Sequence, residues 1–174
     1  MEMKYEKGCL LIDYGKYSEA MEIFNEILRE DEKNYEALNK VGVIYARQGD
    51  LENAQKHFEK VLDKDKNYGP ALVNMGNVYK ELGDEVSALE YYSESIRLDP
   101  DYYLAYYNLG VLYKEKQMFE TYMKYMKEYK RRYRYHMHNS NASRYKDFFS
   151  RKNFLSKWII PILLVIAAIV LIQR

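Results

Sequence analysis

GPALVNMGNVYKELGDEVSALEYYSESIRLDPDY, residues 69–102, holds two apolar runs of helical period separated by Gly83-Asp84. The first run is Ala71-Leu72, Met75-Gly76 and Tyr79; the second is Ala88, Tyr91-Tyr92 and Ile96. Apolar residues three and four apart, a break, and the same spacing again predict two amphipathic helices joined by a tight turn. Gly83 suits the left-handed residue that ends a helix, and the Asp84 carboxylate can cap the next one. Asp99-Pro100 closes the second helix.

A shift of the window by thirty-four residues reproduces the pattern. Upstream, Leu38, Val41-Gly42, Tyr45, Gly49-Asp50, Ala54 and Phe58 fill the same slots, and before them Gly8, Gly15, Ala20 and Phe24. Downstream come Ala105-Tyr106, Leu109-Gly110 and Tyr113. One helical hairpin cannot bury both of its apolar faces, so a fixed period of this kind predicts a stacked array.

These residues resemble the tetratricopeptide repeat (TPR) family, whose pattern of a bulky residue, Leu-Gly, Tyr, Ala, Phe and Pro recurs about every 34 residues. The resemblance runs from Met1 to Tyr135, and AYYNLGVLY at 105–113 lies close to the family consensus. The first repeat departs with Lys4, Lys7 and Leu11; the fourth has Gln117 for the turn glycine and Tyr122 for a small alanine. The expected fold class is therefore all-α: a superhelical solenoid with repeats at 1–34, 35–68, 69–102 and 103–135. Three repeats are full, and the second helix of the fourth acts as a cap. Its stripe is expected at Phe119, Tyr122, Met123, Met126, Tyr129 and Tyr133.

Composition bounds the function. Twenty tyrosines are most simply accounted for as inter-helix packing. The single cysteine, Cys9, rules out an internal disulfide, so nothing demands an oxidising compartment. The N-terminal residues lack the charged, apolar, small order of a secretory signal and already belong to the first repeat. There is no Gly-rich phosphate loop, no HExxH and no paired Cys/His spacing, so no enzyme activity, cofactor or metal site is expected. Charge is divided: Met1–Met123 carries 15 basic and 24 acidic residues, and Lys124–Lys157 carries 11 and 2. Halves of opposite sign point to different surroundings.

The resemblance implies that the first helices line a concave groove for a partner peptide. Carried over by position, the groove set is Asn39, Arg47, Asn74, Asn77, Lys80, Tyr107, Asn108 and Val111. Asn74 and Asn108 are equivalent and resemble the start of an asparagine ladder, in which carboxamides pair with peptide backbone through both donor and acceptor. The carboxylate clamp of chaperone-binding members does not fit. Its slots hold Tyr5, Cys9, Lys40, Pro70 and Asn74 in the first three repeats, and only Asn74 matches in the last three.

Beyond the array, residues 136–157 read as a basic juxtamembrane linker, with a polar hinge at 138–143. WIIPILLVIAAIVLI, 158–172, then has fifteen uninterrupted apolar residues. Alone these reach ~22 Å of a ~30 Å hydrocarbon core; the residues from Phe154, with Lys157 snorkelling, complete a span. A single transmembrane helix at 158–173 is expected, anchored by Trp158, Ile159, Leu163, Leu164, Ile169 and Leu171. Lys130, Arg131, Arg132, Arg134, Arg151, Lys152 and Lys157 would meet the anionic lipid surface. Basic residues before the span place the repeats on the cytoplasmic side, in a prokaryotic plasma membrane or, in a eukaryote, the mitochondrial outer membrane. Nucleic acid is the lesser reading of the basic run, and no small-molecule substrate is expected. The whole reads as a tail-anchored scaffold or adaptor for a protein or peptide partner. The alternative is an assembly subunit that docks by its convex face or cap helix.

Overall fold

A computed structural model describes residues 2–139, all helices and short connections. The helices are α1 (Glu2–Asp13), α2 (Tyr17–Glu30), α3 (Tyr35–Arg47), α4 (Leu51–Lys64), α5 (Gly69–Glu81), α6 (Glu85–Leu98) and α7 (Tyr103–Glu115). Residues 119–139 form α8. Met1–Lys130 make one compact unit and a second begins at Arg131. The array described below belongs to the first.

Each hairpin turn is built the same way. The residue after the helix end takes a left-handed backbone, with φ of 72° at Gly15, 82° at Gly49 and 81° at Gly83. The next amide then reaches five residues back: Lys16 N to Leu11 O, Asp50 N to Tyr45 O, and Asp84 N to Tyr79 O, at 2.8, 2.9 and 2.8 Å. These bonds satisfy carbonyls that a helix end otherwise leaves open. The fourth turn keeps this geometry without the glycine: Gln117 has φ of 59°, and Met118 N reaches Tyr113 O at 2.9 Å. Asp50 and Asp84 each cap the following helix, accepting from Asn53 N at 3.1 Å and Ser87 N at 3.0 Å. Side-chain and backbone donors of Asn53 and of Ser87 hold the two carboxyls below the usual aspartate range.

Within each hairpin a glycine of the first helix faces an aromatic of the second. A β-carbon on Gly8, Gly42 or Gly76 would sit 2.7, 2.5 or 2.4 Å from the rings of Phe24, Phe58 and Tyr92. All three rings are buried, so the glycine sets how closely the helices approach. In the fourth hairpin Gly110 faces the Met126 sulfur at 3.1 Å, a softer contact. A second recurring pair accounts for part of the tyrosine content. Tyr79 stacks on Tyr91 and Tyr113 on Tyr125, with ring centroids 5.4 Å apart in each, and Tyr45 lies 5.1 Å from His57 at the same repeat positions.

α2, α4 and α6 each pack on the first helix of their own repeat and on that of the next. First helices also touch one another, α1 with α3, α3 with α5, and α5 with α7, whereas no two of α2, α4 and α6 do. An array whose first helices are the closer neighbours curves with those helices inside, which makes their outward residues a concave wall.

The α8 register differs from the expected stripe. Tyr122, Met126 and Tyr129 are half-buried, but Phe119 and Met123 are 60% and 63% exposed, and Tyr133 is 39% exposed. Tyr125, outside the expected set, provides the stacking contact to Tyr113. In earlier repeats Met21 and Leu89, at the position of Met123, are packed against core clusters. Among the described residues no further first helix follows α8 to cover that flank.

Candidate functional site

The concave wall of α3, α5 and α7 holds a hollow of about 550 Å³. Arg47, Asn74, Asn77, Lys80, Asn108 and Val111 line it, together with Val43, Ala46, Gly49, Leu51, Phe58, Val78, Glu81 and Tyr92. Its floor is apolar because the turn between α3 and α4 brings Leu51 and Phe58 beneath the inner face of α5. Its rim is polar because first-helix positions that face away from the partner helix need no core residue.

The asparagines are not independent rungs. Asn74 donates through Nδ2 to Asn39 Oδ1 at 3.0 Å. Asn108 donates through Nδ2 to Asn77 Oδ1 at 3.2 Å, and the Tyr92 hydroxyl donates to the same oxygen at 2.8 Å. With two donors on its carbonyl, Asn77 has its amide N–H groups left for a ligand, while Asn74 and Asn108 keep their carbonyl oxygens. The wall thus offers both donors and acceptors to an extended backbone.

Two expected groove residues lie elsewhere. Asn39 is 3% exposed: its repeat position faces the next first helix, and its carboxamide oxygen accepts the bond that bridges α3 to α5. Tyr107 occupies the same position in α7, where no next first helix is described, so it is 41% exposed and rests on Tyr129 at 5.3 Å between centroids. Position within the repeat, carried over alone, could not separate the wall-lining slots from the slot that joins neighbouring repeats.

Tyr92 was not among the expected site residues. Its signal was in the sequence: the slot is phenylalanine at 24 and 58, so a hydroxyl there is an addition needing a partner. Burial, with Glu115 and Glu81 nearby, pushes that hydroxyl well above the ordinary tyrosine range, so it stays a donor at neutral pH. Among the charged groups, Lys80 is tied to Glu115 at 2.7 Å. Arg47 is exposed and has no ion pair or hydrogen bond among the described residues.

Of the expected membrane-surface residues, Lys130, Arg131 and Arg134 are exposed and Arg132 half-buried, all on α8. Arg151, Lys152 and Lys157 lie outside the described residues, as do Trp158, Ile159, Leu163, Leu164, Ile169, Leu171 and the whole expected span. No helix among the described residues is long and apolar enough to cross a membrane.

Family comparison meets this geometry. Tetratricopeptide repeat models match residues 2–34 and 33–101, and a TPR repeat model matches 86–117. The chain is a TPR-fold protein. Solved structures share the architecture. A crystal structure of MamA superposes with a TM-score of 0.59 at 22% identity, covering 78% of this chain and 80% of that one. A thermophilic TPR protein of Thermus thermophilus gives 0.66 at 17%, covering 74% and 72%. A tetratricopeptide repeat protein of Parabacteroides merdae gives 0.55 at 27%, covering 73% and 51%. No curated protein matches the sequence. At these identities the likeness to MamA and the Thermus protein is one of fold.

Proposed function

We propose that this TPR protein is a scaffold that holds an extended segment of a protein partner in its concave groove and is fixed to a membrane by its C-terminal residues. The observation that carries the groove reading is the hollow itself. It has an apolar floor, a rim of three asparagines with donors and acceptors to spare, and a width set by three successive first helices. Such a wall recognises main chain with little regard to sequence and leaves selection to the floor and the charged rim. The anchor reading rests on the apolar run 158–172 and on the basic residues that precede it, which favour a cytoplasmic location for the repeats.

Crosslinked recovery of partners from native membranes tests both parts. Wild type should recover a partner that the Asn74→Ala/Asn77→Ala/Asn108→Ala variant loses. A chain ending at 157 should leave the membrane fraction on alkaline carbonate wash. Equal recovery by both full-length forms would sink the groove reading. Exposure of Met118, Phe119 and Met123 at the start of α8 favours one second reading, an assembly subunit that docks by that helix. Under it, charged substitutions at Phe119 and Met123 abolish recovery and the asparagine changes do not.

A further inference from the structure

The charges around the hollow are unequal, and their arrangement says what kind of segment it takes. Lys80 is neutralised by Glu115. Arg47, at the C-terminal end of α3, is the one lining cation without an acidic partner among the described residues. Glu81 stands on the α5 side of the same hollow. A ligand therefore meets an unpaired guanidinium at the end of α3 and a carboxylate at the equivalent position of α5, with Val43, Leu51, Phe58 and Val78 in the same lining. An exposed guanidinium at the rim of an apolar floor is matched by a carboxylate, which it can grip with two parallel hydrogen bonds.

Resting on the groove reading above, we infer that the partner segment is acidic and apolar: a bulky apolar side chain in the floor, with an aspartate or glutamate beside it engaging Arg47. Asn77 sets the register. Tyr92 and Asn108 occupy its carbonyl, so its amide donates to a ligand carbonyl, which leaves the adjoining side chains to point at the floor and at Arg47. Glu81 disfavours placing the acid on the α5 side, so the segment has one preferred direction.

The test is selection from a displayed library of random peptides on the full-length protein in detergent micelles. Wild type, Arg47→Glu and the triple asparagine variant are compared, and thermal melts confirm that each is folded. Arg47 lies on the rim of the hollow, outside the buried core, so its reversal leaves the core alone. Wild type should enrich peptides that place Asp or Glu next to Leu, Ile, Phe or Met. Arg47→Glu should bind those peptides about tenfold or more weakly, as expected for losing a charge-assisted hydrogen bond, and should enrich Lys or Arg at the same place. The triple variant should retain neither set. If wild type and Arg47→Glu select the same peptides while the triple variant loses them, the acidic preference is wrong and the groove reading stands. If wild type selects nothing that the triple variant does not, both fall.

Discussion

Gln117 holds a left-handed backbone that the three earlier turns give to glycine. For a residue with a β-carbon that conformation costs roughly 1–2 kcal/mol, and glycine gives back part of the gain through its freer unfolded chain. Gln117→Gly is expected to stabilise the protein by about 0.5–1 kcal/mol, read as a rise in the urea midpoint at unchanged slope. The glycines against rings behave oppositely. Gly76→Ala drives a methyl to 2.4 Å from Tyr92 and should cost about 1–3 kcal/mol. Gly110→Ala meets the flexible Met126 side chain at 3.1 Å and Tyr125 Cβ only at an ordinary 3.6 Å, and the gain in helix propensity, up to about 1 kcal/mol, offsets the closer contact. Denaturant melts on the pair should separate in sign or by more than about 1 kcal/mol; equal losses would mean Gly110 is as tightly packed as Gly76. Tyr92→Phe keeps the ring and removes one donor from Asn77 Oδ1. Stability should fall by about 1 kcal/mol or less, while ligand affinity falls further because the Asn77 amide is free to turn over.

At the scale of elements, the seams between repeats are where ionisation matters. Tyr68, at the junction of α4 and α5, is pushed up to about 12 by burial, with smaller contributions from nearby charges including Glu36. Burial also raises Tyr5, Tyr92 and Tyr102. A phenol whose folded value lies above its unfolded value of about 10 binds its proton more tightly when folded. Its contribution is fully present below about pH 10 and is lost as pH rises toward 12. Helical circular dichroism should therefore be lost together with the last of the phenolate absorbance to appear; complete phenolate formation with helicity intact would contradict the packing. The acid side has the other sign. Asp50 and Asp84 are held below their unfolded value, so the caps are in force above about pH 4 and fade as pH falls through the lowered values.

How much of this was legible depended on what each signal encodes. Period and turn chemistry encode the hairpins, and α1–α7 fall within the windows that they mark out. Whether a first-helix slot faces the groove or the neighbouring repeat depends on curvature, which no single repeat encodes. Asn39 therefore read as a groove residue although it is a buried strut. The α8 register was obscured because a stripe of Met, Phe and Tyr fits two helix faces until Gly110 and Tyr113 choose one.

For the whole molecule, an acidic array followed by a basic stretch and an apolar run is a distribution of charge suited to a surface-held adaptor. Attachment by the chain's own apolar run predicts salt-resistant membrane association of the full chain. A chain ending at 157 keeps only the basic residues, and its attraction to anionic vesicles should fall steeply with added salt. Vesicle flotation at low and high salt checks both. The measurement that bears most directly on the central claim is photo-crosslinking in native membranes, with a photoreactive phenylalanine analogue placed in turn at Val111, in the hollow, at Glu59, on the exposed side of α4, and at Phe119. Binding in the groove gives a discrete adduct from position 111 that disappears with the triple asparagine variant, and none from 59. Adducts from 59 or 119 with none from 111 would contradict it and make the outer face or α8 the docking surface.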